Sequence, residues 1–265
     1  MHYSILVVLR EGEDLDQVME PFGCEHEVDE YDEQCWCVGE KAREDVGKKL
    51  PFMAVREAYN KLPEAEQTNI LWRKMISEHH EAERKLLEAH PDIDKPRKSC
   101  SECRGTGTYK STSNPNSHWD YYTEGGRWDG SLTNKKGKNV NKLKVKDLSL
   151  EQMELAAHKE LVEQWDKIQE AIKEAEAKGE TLSPNHAHFV LGWDGEKDFQ
   201  TYSAKRKPDS ISAYAYVVDG EWKAHEEFNR KLHQSLPVEN WQAGLDEVIK
   251  KSNPNDTLVM VDCHN

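Results

Sequence analysis

The chain has 265 residues, 36% hydrophobic and 32% charged, with a net charge of −14. That length fits one large domain or two small ones. So acidic a chain does not coat nucleic acid or an anionic membrane through its overall field, and its eight Trp and nine Tyr exclude wholesale disorder.

Met1 is followed by "HYSILVVL", an apolar run too short for a signal-peptide core and far too short for a membrane span. It reads as a buried strand over 3–9. A cytoplasmic protein is expected, in which the six cysteines serve as thiols or metal ligands rather than disulfides. Residues 10–48 read as acidic and irregular; they hold Cys24, Cys35 and Cys37. A helix is predicted over 53–62, ending before Pro63. A longer one over 64–89 turns Ile70, Leu71, Met75, Ile76, Leu86 and Leu87 toward a partner and stops at Pro91. Residues 91–147 lack helical periodicity and are rich in Gly, Ser, Thr, Asn and Lys. A stretch of that length inside a domain is usually functional or disordered, and its aromatics argue for order.

Ser149 opens the clearest helix, with Gln152 placed to complete a capping box. Leu161, Trp165, Ile168, Ile172 and Ala175 form one apolar stripe, and Gly179 ends it. Segments 188–193 and 213–218 read as strands, and Asp219 with Gly220 supplies a turn. A helix over 238–250 gathers Trp241, Leu245, Val248 and Ile249, and 257–262 forms a last strand. Terminal strands with helices between them predict an α+β fold over 1–265, with a mixed or antiparallel sheet in which the first and last strands are neighbours. The long helices, over 64–90 and 149–179, are candidates for a helical arm.

"CSECRGTG" (100–107) sets Cys100 and Cys103 at a spacing that grips one zinc ion, with Gly105 and Gly107 relieving the turn. Structural zinc takes four ligands. Cys35 and Cys37 are the first candidates to complete the set, with Cys24, His90 and His118 behind them. Two free thiols in a turn is the competing reading.

"SNPNSHWDYYTEGGRWDG" (113–130) is the densest chemistry in the chain. Gly125 and Gly126 permit positive φ and close approach to a ligand. Arg127 offers a fork to a phosphate or carboxylate, and Trp119, Tyr121 and Trp128 offer faces for a base or sugar. Asp120 is placed to order Arg127 or accept a proton. The opposing reading puts the aromatics in the core and the glycines in a tight turn. Six lysines follow in "KKGKNVNKLKVK" (135–146), either drawing in phosphates or forming a solvated hairpin. At the end of the chain, an extended "VMVDCHN" turns Asp262 and His264 to one face and Cys263 to the other, which suits acid–base or metal chemistry at Asp262 and His264. His79, His80 and the two histidines of "HAH" (186–188) are weaker ligand candidates, and His158 sits on the stripe face of the long helix.

Four blocks of the chain resemble a family of uncharacterised bacteriophage and bacterial proteins. They are "HYSILVVL", "CSECRGTG", "NPNSHWDYYTEGGRW" and "VMVDCHN". Together they cover under half of the chain, and the long helices lie outside them. Two departures stand out: Tyr121 and Tyr122 replace an expected Trp–Tyr, and Asn265 follows His264 where an apolar residue is usual. The resemblance implies a host-cytoplasmic phage protein acting against host defence or metabolism, and carries over no catalytic residue. The residues themselves predict a protein that binds, and in one version hydrolyses, a small nucleotide-like phosphorylated ligand between 119–128, Asp262 and His264. The alternative is a zinc-stapled interaction module that docks a host protein without catalysis.

Overall fold

The structure is a computed structural model of the chain, described here for residues 1–265 except 64–65, 181, 183–186, 188–189 and 207–210. In chain order its strands are β1 (His2–Leu9), β2 (Tyr31–Gln34), β3 (Thr108–Ser111), β4 (Tyr121–Glu124), β5 (Leu132–Thr133), β6 (Asn139–Val140), β7 (Lys142–Lys144), β8 (Ala215–Val218), β9 (Glu221–Ala224), β10 (Glu226–Asn229), β11 (Gln234–Pro237) and β12 (Thr257–His264). Its helices are α1 (Leu15–Met19), α2 (Glu40–Lys49), α3 (Phe52–Asn60), α4 (Asn69–Glu88), α5 (Leu150–Ala177), α6 (Phe199–Lys205) and α7 (Trp241–Lys251). The fold is α+β, as the sequence predicts.

The main sheet runs β4-β12-β1-β8-β9, with β7 also paired to β12. The first and last strands are indeed neighbours, antiparallel from His2 opposite His264 to Leu9 opposite Thr257. β8 lies parallel to β1 on its other side, which makes the sheet mixed. Both faces are covered, so β1 reads as a continuous apolar run rather than an alternation. One face sets Leu6, Val8, Leu258 and Met260 against Trp241, Leu245 and Ile249 of α7. The other sets Ile5, Val7, Val259, Val261 and Cys263 against Met19, Phe22 and Trp119.

Local chemistry explains the legible elements. Thr68 caps α4 by accepting from the Leu71 amide at 3.2 Å, and Ser149 caps α5 by accepting from the Gln152 amide at 3.3 Å. Ile168, on the predicted stripe, is fully buried, and Trp165 meets Tyr202 of α6 at 5.2 Å between ring centroids. Asp219 and Gly220 have φ of 52° and 74°, the left-handed pair that a tight β8–β9 hairpin needs.

Several expectations need correction. Residues 10–48 are not irregular: α1, β2 and α2 lie there. α1 is a single capped turn, and α2 buries only Ala42 and Val46, too few positions to mark a period. The 91–147 stretch contains β3 to β7, each of two to four residues and too short to show alternation. In the predicted strand at 188–193, His188 and Phe189 lie outside the described residues. The rest is turn and loop, with Val190 63% exposed. The start of the predicted 64–89 helix also lies outside them, and the described helix begins at Asn69. α4 packs against α2 and α3, whereas α5 packs against α6 and β5.

Candidate functional site

Two clusters gather most of the residues singled out by sequence. The first is sulfur. β2 pairs antiparallel with β3, and this brings Cys35 and Cys37, just after β2, against Cys100 and Cys103, just before β3. The four Sγ atoms lie within 4.8 Å of one another and all four residues are buried. Cys35 and Cys100 are 3.6 Å apart, Cys37 and Cys103 3.4 Å. Four thiolates around one tetrahedral ion at Zn–S distances of about 2.3 Å sit about 3.8 Å apart, close to this spacing. Arg104, Gly105 and Gly107 all take positive φ, which tightens the turn that brings Cys100 and Cys103 together. The Cys100 thiol is drawn down by the amides of Cys103 and Glu102. Burial pushes Cys103 up, but the amides of Gly107 and Gly105 and the Cys37 thiol hold it down at about 6. Burial pushes Cys35 and Cys37 up. Four buried thiols this close together could hold a metal ion. Cys24, His90 and His118 stand apart from it: Cys24 is exposed, His90 lies near Asp45, and His118 stacks on Trp222 at 4.3 Å.

The second cluster lies at one end of the main sheet. Register places Tyr121, His264 and His2 side by side on β4, β12 and β1. Alternation puts Asp262 on the same face, as expected from the sequence, while Cys263 enters the opposite core. His2 Nδ1 lies 2.8 Å from Asp262 Oδ1. His264 Nδ1 lies 2.8 Å from Asp120 Oδ1. An ionised carboxylate only accepts, so each Nδ1 carries the proton in these pairs. The Tyr121 ring stacks on His264 at 4.8 Å and 14°, and its hydroxyl lies 3.3 Å from His2 Nε2. His2 was not among the residues chosen from the sequence. The pairing of β1 with β12, which sets it opposite His264, is the signal that finds it.

Electrostatics follows the contacts. Asp262 is only 6% exposed, and burial pushes its carboxyl up; the Arg127 amide at 3.0 Å and His2 outweigh this and hold it below the ordinary range. Asp120 is lowered first by its bond to His264. His264 Nε2 makes no hydrogen bond among the described residues.

The 113–130 segment divides between these roles. Asp120, Tyr121, Gly126 and Arg127 meet Asp262 and His264. Arg127 is exposed, makes no salt bridge within 4 Å among the described residues, and its charge helps lower the Asp262 carboxyl. Trp119 and Trp128 are each half-buried against one of the two cores, Trp119 also donating from Nε1 to the Met19 carbonyl at 3.2 Å. Gly125 and Gly126 do allow a close approach, but to side chains of this chain: a Cβ would fall 2.2 Å from Asn141 Nδ2 and 2.4 Å from Asp262 Cβ respectively. Asp120 orders His264 rather than Arg127. A groove of about 540 Å³ borders Asp120 and Trp119, with Glu20, Glu25, Glu27 and His26 on its walls. The lysine run, by contrast, lies along the start of β12, with Lys144 opposite Thr257 and Lys142 opposite Val259. His79 is buried in α4, and the histidines at 186 and 188 lie outside the described residues.

Among the described residues no helix is long and apolar enough to cross a membrane. The chain matches no protein-family model, no curated protein and no solved structure.

Proposed function

We propose that the sheet-end face binds a small, nucleotide-like phosphorylated ligand and acts on it by acid–base chemistry, while the four cysteines hold a structural zinc ion. The observation that carries the reading is the Asp120–His264 pair, whose Nε2 makes no hydrogen bond among the described residues, on the same sheet face as Asp262, which the Arg127 amide holds at 3.0 Å. Asp120 would fix the imidazole so that Nε2 exchanges a proton with the ligand. Arg127 would hold a phosphate oxygen pair. The glutamates of the neighbouring groove oppose several phosphates at once, so a ligand with a single phosphate group is favoured.

Calorimetry and chromatography on a panel of cyclic and linear nucleotides test this. Binding is expected to weaken roughly 10-fold or more in Arg127→Ala, and turnover to fall by roughly 100-fold or more in His264→Gln. Absence of heat and of turnover across the panel would overturn the reading. Binding with unchanged ligand would leave a sequestering protein.

An interaction module remains the second reading, and one observation favours it. Trp36, between Cys35 and Cys37, is 46% exposed and abuts Phe228, itself 53% exposed. Aromatic anchors beside a rigid knuckle suit protein docking. On this reading Trp36→Ala abolishes capture of a host protein, and Arg127→Ala does not.

A further inference from the structure

The sheet end holds a second hydrogen-bonded chain, distinct from the Asp120–His264 pair. Asp262 Oδ1, His2 Nδ1, His2 Nε2 and the Tyr121 hydroxyl follow one another at 2.8 Å and 3.3 Å. Three different strands supply the members, β12, β1 and β4, so the register of the sheet rather than a mobile loop sets their order. The chain is buried at one end and open at the other: Asp262 is 6% exposed and Tyr121 50%. With its Nδ1 proton given to Asp262, neutral His2 has only a lone pair at Nε2, so the Tyr121 hydroxyl donates to it. A buried carboxylate, an oriented imidazole and an exposed hydroxyl form the arrangement that activates an oxygen nucleophile. Asp262 is itself fixed by the Arg127 amide at 3.0 Å, which ties the relay to the segment carrying Arg127.

We propose that Tyr121 is a catalytic nucleophile toward phosphodiesters, activated by His2 and Asp262. This rests on the phosphorylated-ligand reading above and names its substrate class. In the first step the Tyr121 oxygen bonds to phosphorus and its proton passes to His2 Nε2. The phosphorus–oxygen bond to the leaving alcohol breaks, and that oxygen takes a proton from Nε2 of protonated His264. In the second step water gives a proton back to His264 Nε2 as its oxygen attacks phosphorus. The bond to Tyr121 breaks, and the tyrosine oxygen recovers its proton from His2. The products are an alcohol and a phosphomonoester, no electrons are exchanged, and the enzyme is regenerated. His2 acts here on the nucleophile; Asp262 is a positioning residue.

The test uses the full chain with bis(p-nitrophenyl) phosphate and with cyclic and linear dinucleotides as phosphodiester probes. Acid-quenched samples are analysed by intact mass and peptide mapping. Expected are a phosphoryl adduct on Tyr121, an initial burst of nitrophenol stoichiometric with enzyme, and turnover at least 100-fold lower in Tyr121→Phe, which keeps the ring on His264. His2→Gln should lose the burst. Turnover by wild type with no Tyr121 adduct, or Tyr121→Phe within threefold of wild type, would overturn the inference while leaving the ligand reading intact. Binding without any turnover overturns it too, and neither binding nor turnover sinks both.

Discussion

Gly126 has no room for a side chain. Its φ is 56°, and a Cβ would lie 2.5 Å from Asp262 Oδ2. Gly126→Ala is expected to destabilise by about 2–4 kcal/mol, combining left-handed strain with overpacking against a buried carboxylate. Gly12→Ala, at φ 92° but with nothing within 4 Å, should cost only about 1 kcal/mol. Urea unfolding of the two variants compares them directly, and equal losses would contradict the packing argument. Glu196 offers a second prediction at this scale. Burial pushes its carboxyl up, yet Arg206 at 2.8 Å, the Asp194 amide and Lys205 bring it down to about 2. Because the folded value lies below the unfolded one, the stabilisation is fully present above about pH 4.5 and is lost as pH falls toward 2. Glu196→Gln should therefore cost about 3 kcal/mol at pH 7, leaving Arg206 short of a buried partner, and nearly nothing at pH 2. Unfolding measured across that pH range checks the sign.

Elements were legible where they are long and their burial is one-sided or continuous. α5 declares itself through its cap and its stripe, so Ser149→Ala should cost about 1 kcal/mol and Ile168→Ala about 2–4 kcal/mol, both measurable by thermal unfolding. α7 and β12 were visible for the same reason: α7 puts Trp241, Leu245 and Ile249 onto one contact surface, and β12 is a continuous buried run with both faces covered. β3 to β7 were hidden because strands of two to four residues hold too few side chains for alternation to show. α1 was hidden because it is a single turn and α2 because charge dominates it, and their few buried residues fill gaps under the sheet and beside α4. The candidate site was half legible for a related reason. Asp120, Tyr121, Arg127, Asp262 and His264 could be chosen by residue type, whereas Trp119 and Trp128 look the same in sequence whether they bind a ligand or fill a core.

Across the whole molecule, the cysteine knuckle joins segments more than sixty residues apart, and a metal there would stabilise the β2–β3 pair far more than the main sheet. Protein prepared with zinc in the medium is expected to carry one ion per chain by metal analysis. Chelation, or Cys35→Ser with Cys37→Ser, should raise hydrogen exchange across 31–37 and 97–111 while β1 and β12 stay protected. Protein that never retains metal would contradict the assignment, as would exchange that rises uniformly. The acidic charge has its own consequence at this scale. Lys142 and Lys144 lie at the far end of β12 from His264, so removing them should change ligand binding little, which titration at low salt can test.

The sequence by itself determined the α+β class, the buried character of the terminal strands, the C-x-x-C half of the sulfur cluster and the shared face of Asp262 and His264. Each of these follows from local spacing, through side-chain alternation, helical period or the reach of a tight turn. Only the tertiary structure decided that Cys35 and Cys37 complete the cluster, that Gly126 yields to Asp262 rather than to a ligand, and that His2 and Tyr121 stand beside His264. Those depend on which strands pair and in what register. Strand pairing is a contact between segments as much as 260 residues apart, and no short stretch of sequence records it.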